Sequence, residues 1–338
     1  MRWRSPASSG AAVTRGRPAA RSTSRSMRRE PRCWPPASAS WREAMLGVVN
    51  LDKPVGPTSH DMVALMRRLT GMRRIGHAGT LDPLASGVLP ILVGAATRFS
   101  RDLAAGDKRY EAVIRLGWRS VTDDAQGPIE RGGPLPADER VSEALAAFLG
   151  TFEQRPPAFS ARKVGGRSAH RLVRRGEPVE LEARAVTVHA IDLLRVERDV
   201  DRLDLRVDLR CGPGTYVRSI ARDLGDRLGS GGYLAELRRT AVGSLLAEDA
   251  VTPERLESLA GEGRLETALL AVGDLLPLPR LQLDATETLR FRHGSAVPLH
   301  ASDGPGRHAV FNDGALLGIG RVEGDLLRPE TVIGDEPG

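Results

Sequence analysis

Apolar and polar residues follow regular patterns from residue 46 onward, and these patterns predict both strands and helices. The clearest strand is residues 203–209, in which leucine and valine alternate with charged residues. A Gly-Pro-Gly turn follows, and apolar residues then recur at helical spacing from residue 217 to residue 228. This part of the chain therefore predicts a strand, a tight turn and a helix.

Further elements are predicted on both sides of that segment. Three more runs of strand length are apolar or alternating, namely residues 46–51, 87–94 and 110–116. Ser59 is the predicted N-cap of a helix whose apolar residues recur at helical spacing until Gly71 ends it. Thr252 and Pro253 are typical of the cap and the first position of another helix.

The C-terminal part of the chain has a different character, with short strands and Gly-rich turns. Residues 309–311 and 315–322 flank Asn-Asp-Gly, which predicts a hairpin. Strands and helices do not alternate regularly, and this favours an α+β fold over a doubly wound sheet. We predict a disordered extension at 1–44, a main domain at 45–275 and a small separate β domain at 276–338.

Composition separates the first 44 residues from the rest. They are rich in Arg, Ser, Ala and Pro and lack a hydrophobic period, which predicts disorder. An organelle transit peptide has similar composition, but 46 Arg against three Lys is typical of a GC-rich coding sequence, so we favour an upstream extension or a start codon placed before Met45. The net charge of +6 divides into +8 here, from ten Arg and two Glu, and −2 elsewhere.

One internal segment concentrates positive charge. Seven basic residues and no acid lie between residues 155 and 175: Arg155, Arg162, Lys163, Arg167, Arg171, Arg174 and Arg175. A solvated face is the alternative, but such faces usually mix both signs, so we interpret this segment as a phosphate-contacting surface.

The sequence also limits the class of protein. Cys33 and Cys211 have no paired spacing and the seven His are scattered, so we expect neither a disulfide framework nor a metal site. No apolar run approaches the roughly 20 residues that cross a bilayer, and no secretory signal is present, so we expect a soluble protein. A Gly-x-Ser-x-Gly hydrolase elbow is missing, and residues 212–215 lack the Lys-Ser/Thr pair of an NTP-binding loop.

The most informative stretch is the loop Gly76-His77-Ala78-Gly79-Thr80-Leu81-Asp82-Pro83-Leu84-Ala85-Ser86-Gly87. Taken alone, its Asp-Pro pair and its glycines are ordinary turn chemistry. As a whole it resembles the catalytic motif of the bacterial tRNA pseudouridine synthase B family. The resemblance continues in order through Leu51-Asp52-Lys53-Pro54, Asp107-Lys108-Arg109-Tyr110, Pro157-Ala158-Phe159-Ser160-Ala161-Arg162-Lys163, Gly214-Thr215-Tyr216-Val217-Arg218 and Leu237-Arg238-Arg239. It therefore covers residues 46–245, and the tail is similar to the family's RNA-binding C-terminal domain.

The resemblance implies a fold and an activity. The fold is a mixed or antiparallel sheet flanked by helices, followed by a small PUA-like β-rich domain. The activity is isomerisation of uridine 55 in the T loop of tRNA, which breaks the C1′–N1 bond and joins C5 to C1′. This chemistry needs a nucleophile and a proton relay but no redox carrier, so no cofactor is expected. The implied partner is the tRNA T-stem-loop, the implied location is cytoplasmic, and a monomer is the default.

The resemblance also implies roles for residues in the pocket. Asp82 is the nucleophile, which either adds to the uracil ring or attacks the sugar carbon. Arg218 pairs with it and favours its charged form. Tyr110 stacks on the target base or moves a proton, while Tyr216 and Leu237 line the same pocket. On residue type alone, a surface position is an equally good interpretation of Arg218. Packing in the core is an equally good interpretation of Tyr110, Tyr216 and Leu237.

The remaining implied residues contact the RNA or support the loop. His77 resembles the residue that fills the gap left by the extruded nucleotide. Lys53 braces the catalytic loop, and Arg162 and Lys163 contact substrate. Without the resemblance, a lone His in a Gly-rich loop is more often structural.

Two alternatives remain open. The first is a guide-RNA-dependent relative in which partner proteins supply substrate choice; residues 84–87 and the ordinary tail look more like the stand-alone form. The second is a tRNA-binding chaperone without catalysis, and intact Asp82, Tyr110 and Arg218 argue against that loss. Phe159 and His170 depart from the family pattern, which affects only the basic segment.

Overall fold

The computed structural model describes residues 46–160, 181–299 and 304–334, together with the backbone of two short strands at 163–164 and 167–168. The strands are β1 (Gly47–Lys53), β2 (Ile75–His77), β3 (Ala85–Val93), β4 (Lys108–Leu116), β5 (Trp118–Ser120), β6 (Ile129–Arg131), β7 (Gly150–Gln154), β8 (Lys163–Val164), β9 (Arg167–Ser168), β10 (Arg184–Arg198), β11 (Leu203–Cys211), β12 (Gly232–Val242), β13 (Leu245–Leu246), β14 (Arg280–Gln282), β15 (Val297–Pro298), β16 (Gly306–Asn312), β17 (Ala315–Glu323) and β18 (Leu326–Val332). The α-helices are α1 (Ser59–Thr70), α2 (Ser100–Ala104), α3 (Asp138–Ala146), α4 (Val217–Leu228), α5 (Pro253–Gly261), α6 (Val272–Leu275) and α7 (Ala285–Arg292), and short 3₁₀ helices span Gly94–Phe99, Ala247–Asp249 and Leu265–Ala268. None of these helices has both the length and the apolar composition that a membrane span requires.

The main sheet is mixed, as the sequence predicts. Within the described residues it has nine strands in the order β1-β3-β12-β4-β11-β10-β7, with β2 beside β3 and β13 beside β12. Its pairs are antiparallel except for β3 and β12, which run parallel. This parallel pair brings β12 beside β3, the strand that follows the loop containing Asp82.

The alternation in β11 sets one face of the core. Because successive side chains of a strand point to opposite faces, the leucines and valine of β11 are buried while its charged residues face outward. They pack with the apolar stripe of α4, whose buried members include Ile220, Ala221 and Leu224. The predicted strand, turn and helix are confirmed, with α4 laid across the sheet.

The first helix begins one residue earlier than predicted. Thr58, not Ser59, is the N-cap, since its hydroxyl accepts from the Asp61 N–H and the Asp61 carboxylate accepts from the Thr58 N–H. Both residue types cap helices well, and the acid three residues after Thr58 selects the frame. Ser59 instead bonds the backbone N–H and carbonyl of Leu81, each at 2.9 Å. The helix ends at Gly71, as predicted, with a φ of 69°.

Two other local predictions are confirmed. The Thr252 hydroxyl caps α5, and Pro253 occupies its first turn. The hairpin between β16 and β17 closes with Asn312 opposite Ala315. The two residues between them have φ values of 46° and 79°, the left-handed pair that a type I′ turn requires.

The C-terminal sheet has five strands in the order β14-β16-β17-β18-β15, which confirms a β-rich C-terminal region. It does not stand apart from the main sheet. Ala309, Phe311 and Ile319 join one apolar cluster with Val48 and Leu92 of the main sheet. The two sheets therefore share a core.

Helix α4 lies close to the start of β12 at a glycine. The carbonyl of Gly225 accepts from the N–H groups of Ser230 and Gly231, at 3.0 and 3.1 Å. A Cβ added to Gly225 would lie 2.1 Å from the nitrogen of Gly232, which is backbone and cannot swing aside. Only glycine allows this approach.

We expect Gly225→Ala to destabilise the protein. Alanine favours an isolated helix by about 1 kcal/mol, but overpacking against a fixed backbone costs roughly 1–3 kcal/mol or more. The free energy of unfolding should fall by about 2 kcal/mol, measured by urea denaturation of the full chain. Asp226→Ala is the matched control on the same helix, because its ion pair with Arg119 is exposed and should change stability by less than about 1 kcal/mol. A Gly225→Ala protein as stable as wild type would contradict the clash.

Candidate active site

A cavity of about 330 Å³ opens where the loop that carries Asp82 meets the start of α4. Five residues singled out from the sequence line it together: Asp82, Tyr110, Tyr216, Arg218 and Leu237. The other lining residues are Gly79, Thr80, Leu81, Ala104, Lys108, Ser160, Gly212, Gly214, Thr215, Val217 and Arg239. The cavity is thus built from segments far apart in the chain, which only the sheet brings together.

The loop that carries Asp82 is pinned on both sides. Before Asp82, the backbone of Leu81 is held by the Ser59 hydroxyl on α1. After it, Gly87 lies opposite Arg239 in the parallel pair of β3 and β12. Gly87 has a φ of 101°, and an added Cβ would lie 2.1 Å from the Arg239 carbonyl oxygen. The last glycine of the motif therefore allows the sheet contact that fixes the loop.

Asp82 forms an ion pair with Arg218. The Nε of Arg218 lies 3.0 Å from Oδ2 of Asp82, and the Asp82 side chain remains 38% exposed while that of Arg218 is 6% exposed. The Nε–H has no well-aligned hydrogen-bond acceptor, so the contact is electrostatic rather than a directed hydrogen bond. Asp82 thus faces the cavity with a buried cation behind it.

Other contacts hold the Arg218 guanidinium in place. Nη1 donates to the Thr122 carbonyl at 3.1 Å, and Nη2 donates to the Phe159 carbonyl at 3.0 Å. A second carboxylate, Asp124, lies 3.4 Å from Nη1 with its side chain 5% exposed. Arg218 therefore joins three separate segments: the Asp82 loop, the turn after β5 and the segment after β7.

The start of α4 explains why Arg218 is buried rather than on the surface. Tyr216 is the N-cap residue, and its side chain makes no capping bond. The buried Gln154 side chain instead holds the Tyr216 backbone, accepting from the Tyr216 N–H at 2.8 Å and donating to the Tyr216 carbonyl at 3.1 Å. This contact docks the first turn of α4 against the end of β7 and directs Arg218 into the protein.

The surroundings of Asp82 raise its pKa. Desolvation by the surrounding protein is the largest cause of the rise, and the negative charge of Asp124 adds to it. The positive charges of Arg218 and, to a smaller extent, Lys53 lower the pKa. Because a nearby cation favours the charged form of a carboxyl, Arg218 is the residue that most opposes this rise in the pKa of Asp82.

Lys53 holds a turn that contacts the loop carrying Asp82. Its side chain is fully buried, and Nζ donates to the carbonyls of Pro54 and Pro57, both at 2.8 Å. Within the turn that these bonds hold, the Gly56 N–H donates to the Pro83 carbonyl at 2.8 Å. Burial lowers the pKa of Lys53 to about 8. The turn that Lys53 holds therefore contacts Pro83, the residue after Asp82.

Tyr110 and Arg239 also line the cavity, and Arg239 contacts the loop that carries Asp82. Tyr110 is 8% exposed, and burial raises the pKa of its phenol while the neighbouring Arg239 opposes the shift. Arg239 donates from Nε to the Val88 carbonyl at 2.7 Å and from Nη2 to the Gly79 carbonyl at 3.0 Å. Tyr110 is therefore a neutral phenol at neutral pH.

Three predicted substrate contacts lie away from the cavity or outside the described part. His77 is on β2, where its ring meets that of His60 edge to face at 5.8 Å. Burial is the main cause that lowers the pKa of His77, so its ring is neutral at neutral pH. The side chains of Arg162 and Lys163, and most of the basic segment, lie outside the described residues.

Sequence reasoning gave no role to Asp124, Lys108 or Arg239. Asp124 lies in a turn without any periodic pattern, so nothing in the sequence marks it. Lys108 was detectable, since it has the same strand parity as Tyr110 and therefore faces the core. It donates to the Gly106 carbonyl at 2.7 Å and also to the Ala104 carbonyl, and burial lowers its pKa to about 8.

The cavity thus combines a carboxyl beside a guanidinium with a neutral phenol and apolar walls. Such a set suits nucleophilic attack on an uncharged ring or sugar. In the described ranges, no three His, Cys, Asp or Glu side chains are grouped so as to hold a metal ion.

Family models match most of the chain. The model described as "TruB family pseudouridylate synthase (N terminal domain)" matches residues 67–217. "tRNA pseudouridylate synthase B C-terminal domain" matches residues 218–278, and "Pseudouridine synthase II TruB, C-terminal" matches residues 279–333.

Individual proteins are also similar over nearly their whole length. The tRNA pseudouridine synthase B of Ralstonia pickettii (strain 12J) is 41% identical over 305 residues, which is 86% of this chain and 95% of the relative. That of Dechloromonas aromatica (strain RCB) is 43% identical over 296 residues, 87% of this chain and 97% of the relative.

Two solved structures share the fold. The chain solved as "Crystal Structure of a Cbf5-Nop10-Gar1 Complex" has a TM-score of 0.67 at 25% identity, covering 89% of this chain and 90% of that one. The chain solved as "Structure of H/ACA RNP bound to a substrate RNA containing 2'-deoxyuridine" has a TM-score of 0.64 at 25% identity, with coverages of 86% and 85%.

Substitutions at Arg218 and Asp124 are expected to move the pKa of Asp82 in opposite directions. Arg218→Met removes the cation that most favours the ionised form, so the pKa should rise further. Asp124→Asn removes a like charge, so it should fall. The measurement is an NMR pH titration of ¹³C-labelled aspartate carboxyls, with the Asp82 signal assigned by its loss in Asp82→Asn.

The control is Arg119→Met, which removes an exposed cation paired with Asp226. It should leave the titration of Asp82 unchanged. Shifts of the same sign in Arg218→Met and Asp124→Asn would show that charge is not what sets this pKa.

Proposed function

Because this chain belongs to the tRNA pseudouridine synthase B family, we propose that it isomerises uridine 55 in the T loop of tRNA to pseudouridine, with Asp82 as the nucleophile. The observation that carries the proposal is the Asp82–Arg218 ion pair at the cavity. Relatives named for tRNA pseudouridine synthesis align over 95% and 97% of their own lengths, which supports a stand-alone enzyme.

The reaction rearranges one nucleotide without net gain or loss of atoms. The C1′–N1 bond breaks, the uracil rotates, C5 bonds to C1′, C5 loses its proton, and N1 gains one. Asp82 takes part by one of two routes. If it adds to the uracil ring, its bond to the ring breaks by elimination after C5 and C1′ are joined, as C5 loses its proton. If it attacks C1′, its bond to C1′ breaks when C5 displaces it. Both routes need an ionised carboxylate, which Arg218 favours.

A base inside folded RNA must leave its stack to reach this cavity. The volume of about 330 Å³ lies at the lower end of ordinary ligand pockets, as expected for a single nucleotide. Leu237 supplies an apolar wall, and the neutral phenol of Tyr110 suits stacking on the uracil better than accepting the C5 proton. His77 lies outside the cavity on β2, and we propose that it fills the gap in the RNA.

The proposed partner is the tRNA T-stem-loop. The basic segment at 155–175 supplies cations for phosphates, and Arg162 and Lys163 belong to it. We propose that the protein acts as a monomer in the cytoplasm, with no cofactor: the atoms balance within the substrate, and the carboxylate provides the nucleophile.

The first prediction concerns turnover by Asp82→Asn. Wild type should release tritium from C5-labelled uridine 55 in an unmodified T-stem-loop without added cofactor. Asp82→Asn should release none, because an amide is not a nucleophile of comparable strength. Binding of the RNA should remain close to wild type, since one group at the reaction centre adds little to distributed phosphate contacts.

Two controls make the result specific. A stem-loop labelled at a different uridine tests the position, and release from it would contradict the choice of uridine 55. Release by Asp82→Asn at the wild-type rate would remove Asp82 from the nucleophile role. Binding without release by wild type would favour the chaperone or the partner-dependent reading.

A second prediction concerns the basic segment. Replacing Arg171, Arg174 and Arg175 with Gln should weaken binding of the stem-loop. The slope of log affinity against log salt should become shallower by up to about 2 to 3, as expected for three lost phosphate contacts. Binding titrations between low and moderate salt measure both effects.

The matched control removes the same charge from another surface. Arg195, Arg198 and Arg202 each lie beside a carboxylate, so their replacement by Gln should change the slope little. Equal slopes for the basic-segment variant and wild type would mean that this segment is a solvated face.

A further inference from the structure

A second arginine on α4 lies one turn after Arg218. Arg222 donates from Nη1 to the Asp123 carboxylate at 2.9 Å, from Nη2 to the Arg155 carbonyl at 2.9 Å and from Nε to Asp223 at 2.8 Å. Its side chain is 23% exposed, and that of Asp123 is 14% exposed. Arg222 is not among the residues that line the cavity.

The two arginines tie together the same pair of segments. On the turn after β5, Arg218 holds the Thr122 carbonyl and Arg222 holds the Asp123 carboxylate. On the segment after β7, Arg218 holds the Phe159 carbonyl and Arg222 holds the Arg155 carbonyl. Residues four apart on a helix share one face, so α4 bridges both segments twice along that face.

The backbone of the turn makes this arrangement specific. Asp123 has a φ of 61°, a left-handed conformation that Asp and Asn tolerate better than most residues. Its carbonyl accepts from the Leu234 N–H at 3.0 Å, so the turn is also fixed to β12. Neighbouring carboxylates therefore diverge: Asp123 points to Arg222 while Asp124 points to Arg218.

We propose that the Asp123–Arg222 ion pair is a positioning device for catalysis, which holds Asp124 and the Phe159 carbonyl where they fix Arg218 against Asp82. Arg222 and Asp123 touch no reacting atom and act through Arg218. The predicted loss of kcat rests on the proposed function. The predicted change around Asp82 does not depend on that function.

The pair can be broken without leaving Arg222 unpaired. Asp223 is the next residue along the helix and already accepts from Arg222. Loss of the Asp123 charge therefore removes the ionic link between the turn and Arg222 while the guanidinium keeps one carboxylate, and the protein should still fold. What changes is the precision with which Arg218 is held, and small misplacements at a reaction centre are costly.

The loosened Arg218 should alter the titration of Asp82. The charged and titratable groups near Asp82 are Arg218 from α4, Asp124 from the turn, Lys53 from β1, Tyr110 from β4 and Arg239 from β12. Only Arg218 and Asp124 are tied to the Asp123–Arg222 pair. A weaker hold on Arg218 should raise the pKa of Asp82, so the acid limb of kcat should move to higher pH.

The test uses the full chain with Asp123→Asn, Arg222→Met and the double variant. Asp123→Asn keeps a residue that tolerates the left-handed turn and removes only its charge. We expect kcat for tritium release to fall roughly three- to thirtyfold, less than the roughly hundredfold cost of a 1 Å misplacement at the reaction centre, with KM nearly unchanged. The acid limb of the pH profile of kcat should move to higher pH. The double variant should lose no more kcat than the more impaired single variant, since both substitutions break the same ion pair.

The matched control is Asp226→Asn, four residues further along α4, whose ion pair with Arg119 is exposed. It should keep the wild-type kcat and acid limb. Wild-type kcat and acid limb in folded Asp123→Asn, or fully additive losses in the double variant, would overturn the inference.

An NMR titration of Asp82 in the same variants separates this inference from the proposed function. If wild type releases no tritium, the proposed function fails, and the positioning role is then decided by the titration alone. A raised pKa of Asp82 in Asp123→Asn supports the role, and an unchanged one overturns it.

Discussion

The site depends on one buried cation, Arg218. A guanidinium with 6% of its side chain exposed has lost most of its hydration, and only close opposite charge and hydrogen bonding offset that loss. Asp82 and Asp124 supply the charge, while two main-chain carbonyls supply the bonds. Because these partners come from three segments, satisfying Arg218 also fixes the distance between Asp82 and the walls of the cavity. Folding and the geometry of the cavity thus depend on the same contacts.

This arrangement creates a conflict over Asp82. The crowding that shapes the cavity raises the pKa of its carboxyl, while its chemistry needs the charged form. Arg218 and Lys53 oppose the rise, and Asp124 limits how far Arg218 can do so, since it competes for the same guanidinium. The protonation equilibrium of Asp82 is thus set by electrostatic balance rather than by full hydration. Without the cation, the pKa of an equally buried carboxyl would be higher still.

The sequence predicts local structure better than it predicts this balance. Alternation in β11, the helical stripe of α4 and the Asp-Gly hairpin are properties of neighbouring residues, so periodicity and turn chemistry reveal them. The cap of α1 was misplaced by one residue because Thr58 and Ser59 cap equally well, and only the acid at Asp61 decides. Motif resemblance brought Asp82 and Arg218 together. The sequence did not identify Asp124 because residues in a turn follow no periodic pattern. It did not predict the contact of Asp123 with Arg222 because these residues are 99 positions apart in the chain.

The cations around the cavity have a second function that explains their number. Lys53, Lys108, Arg218, Arg222 and Arg239 each donate to main-chain carbonyls of the turns and segments beside them. The acceptors are Pro54 and Pro57, Ala104 and Gly106, Thr122 and Phe159, Arg155, and Val88 and Gly79. Most of these carbonyls belong to turns or irregular segments, so the bonds order backbone that secondary structure leaves free, while the bond to Val88 holds Arg239 against β3. Three of these side chains, Lys53, Arg218 and Arg239, also lie close enough to Asp82 to act on its charge. The carboxylate form of Asp82 is therefore favoured by groups that the loops already require for their own order.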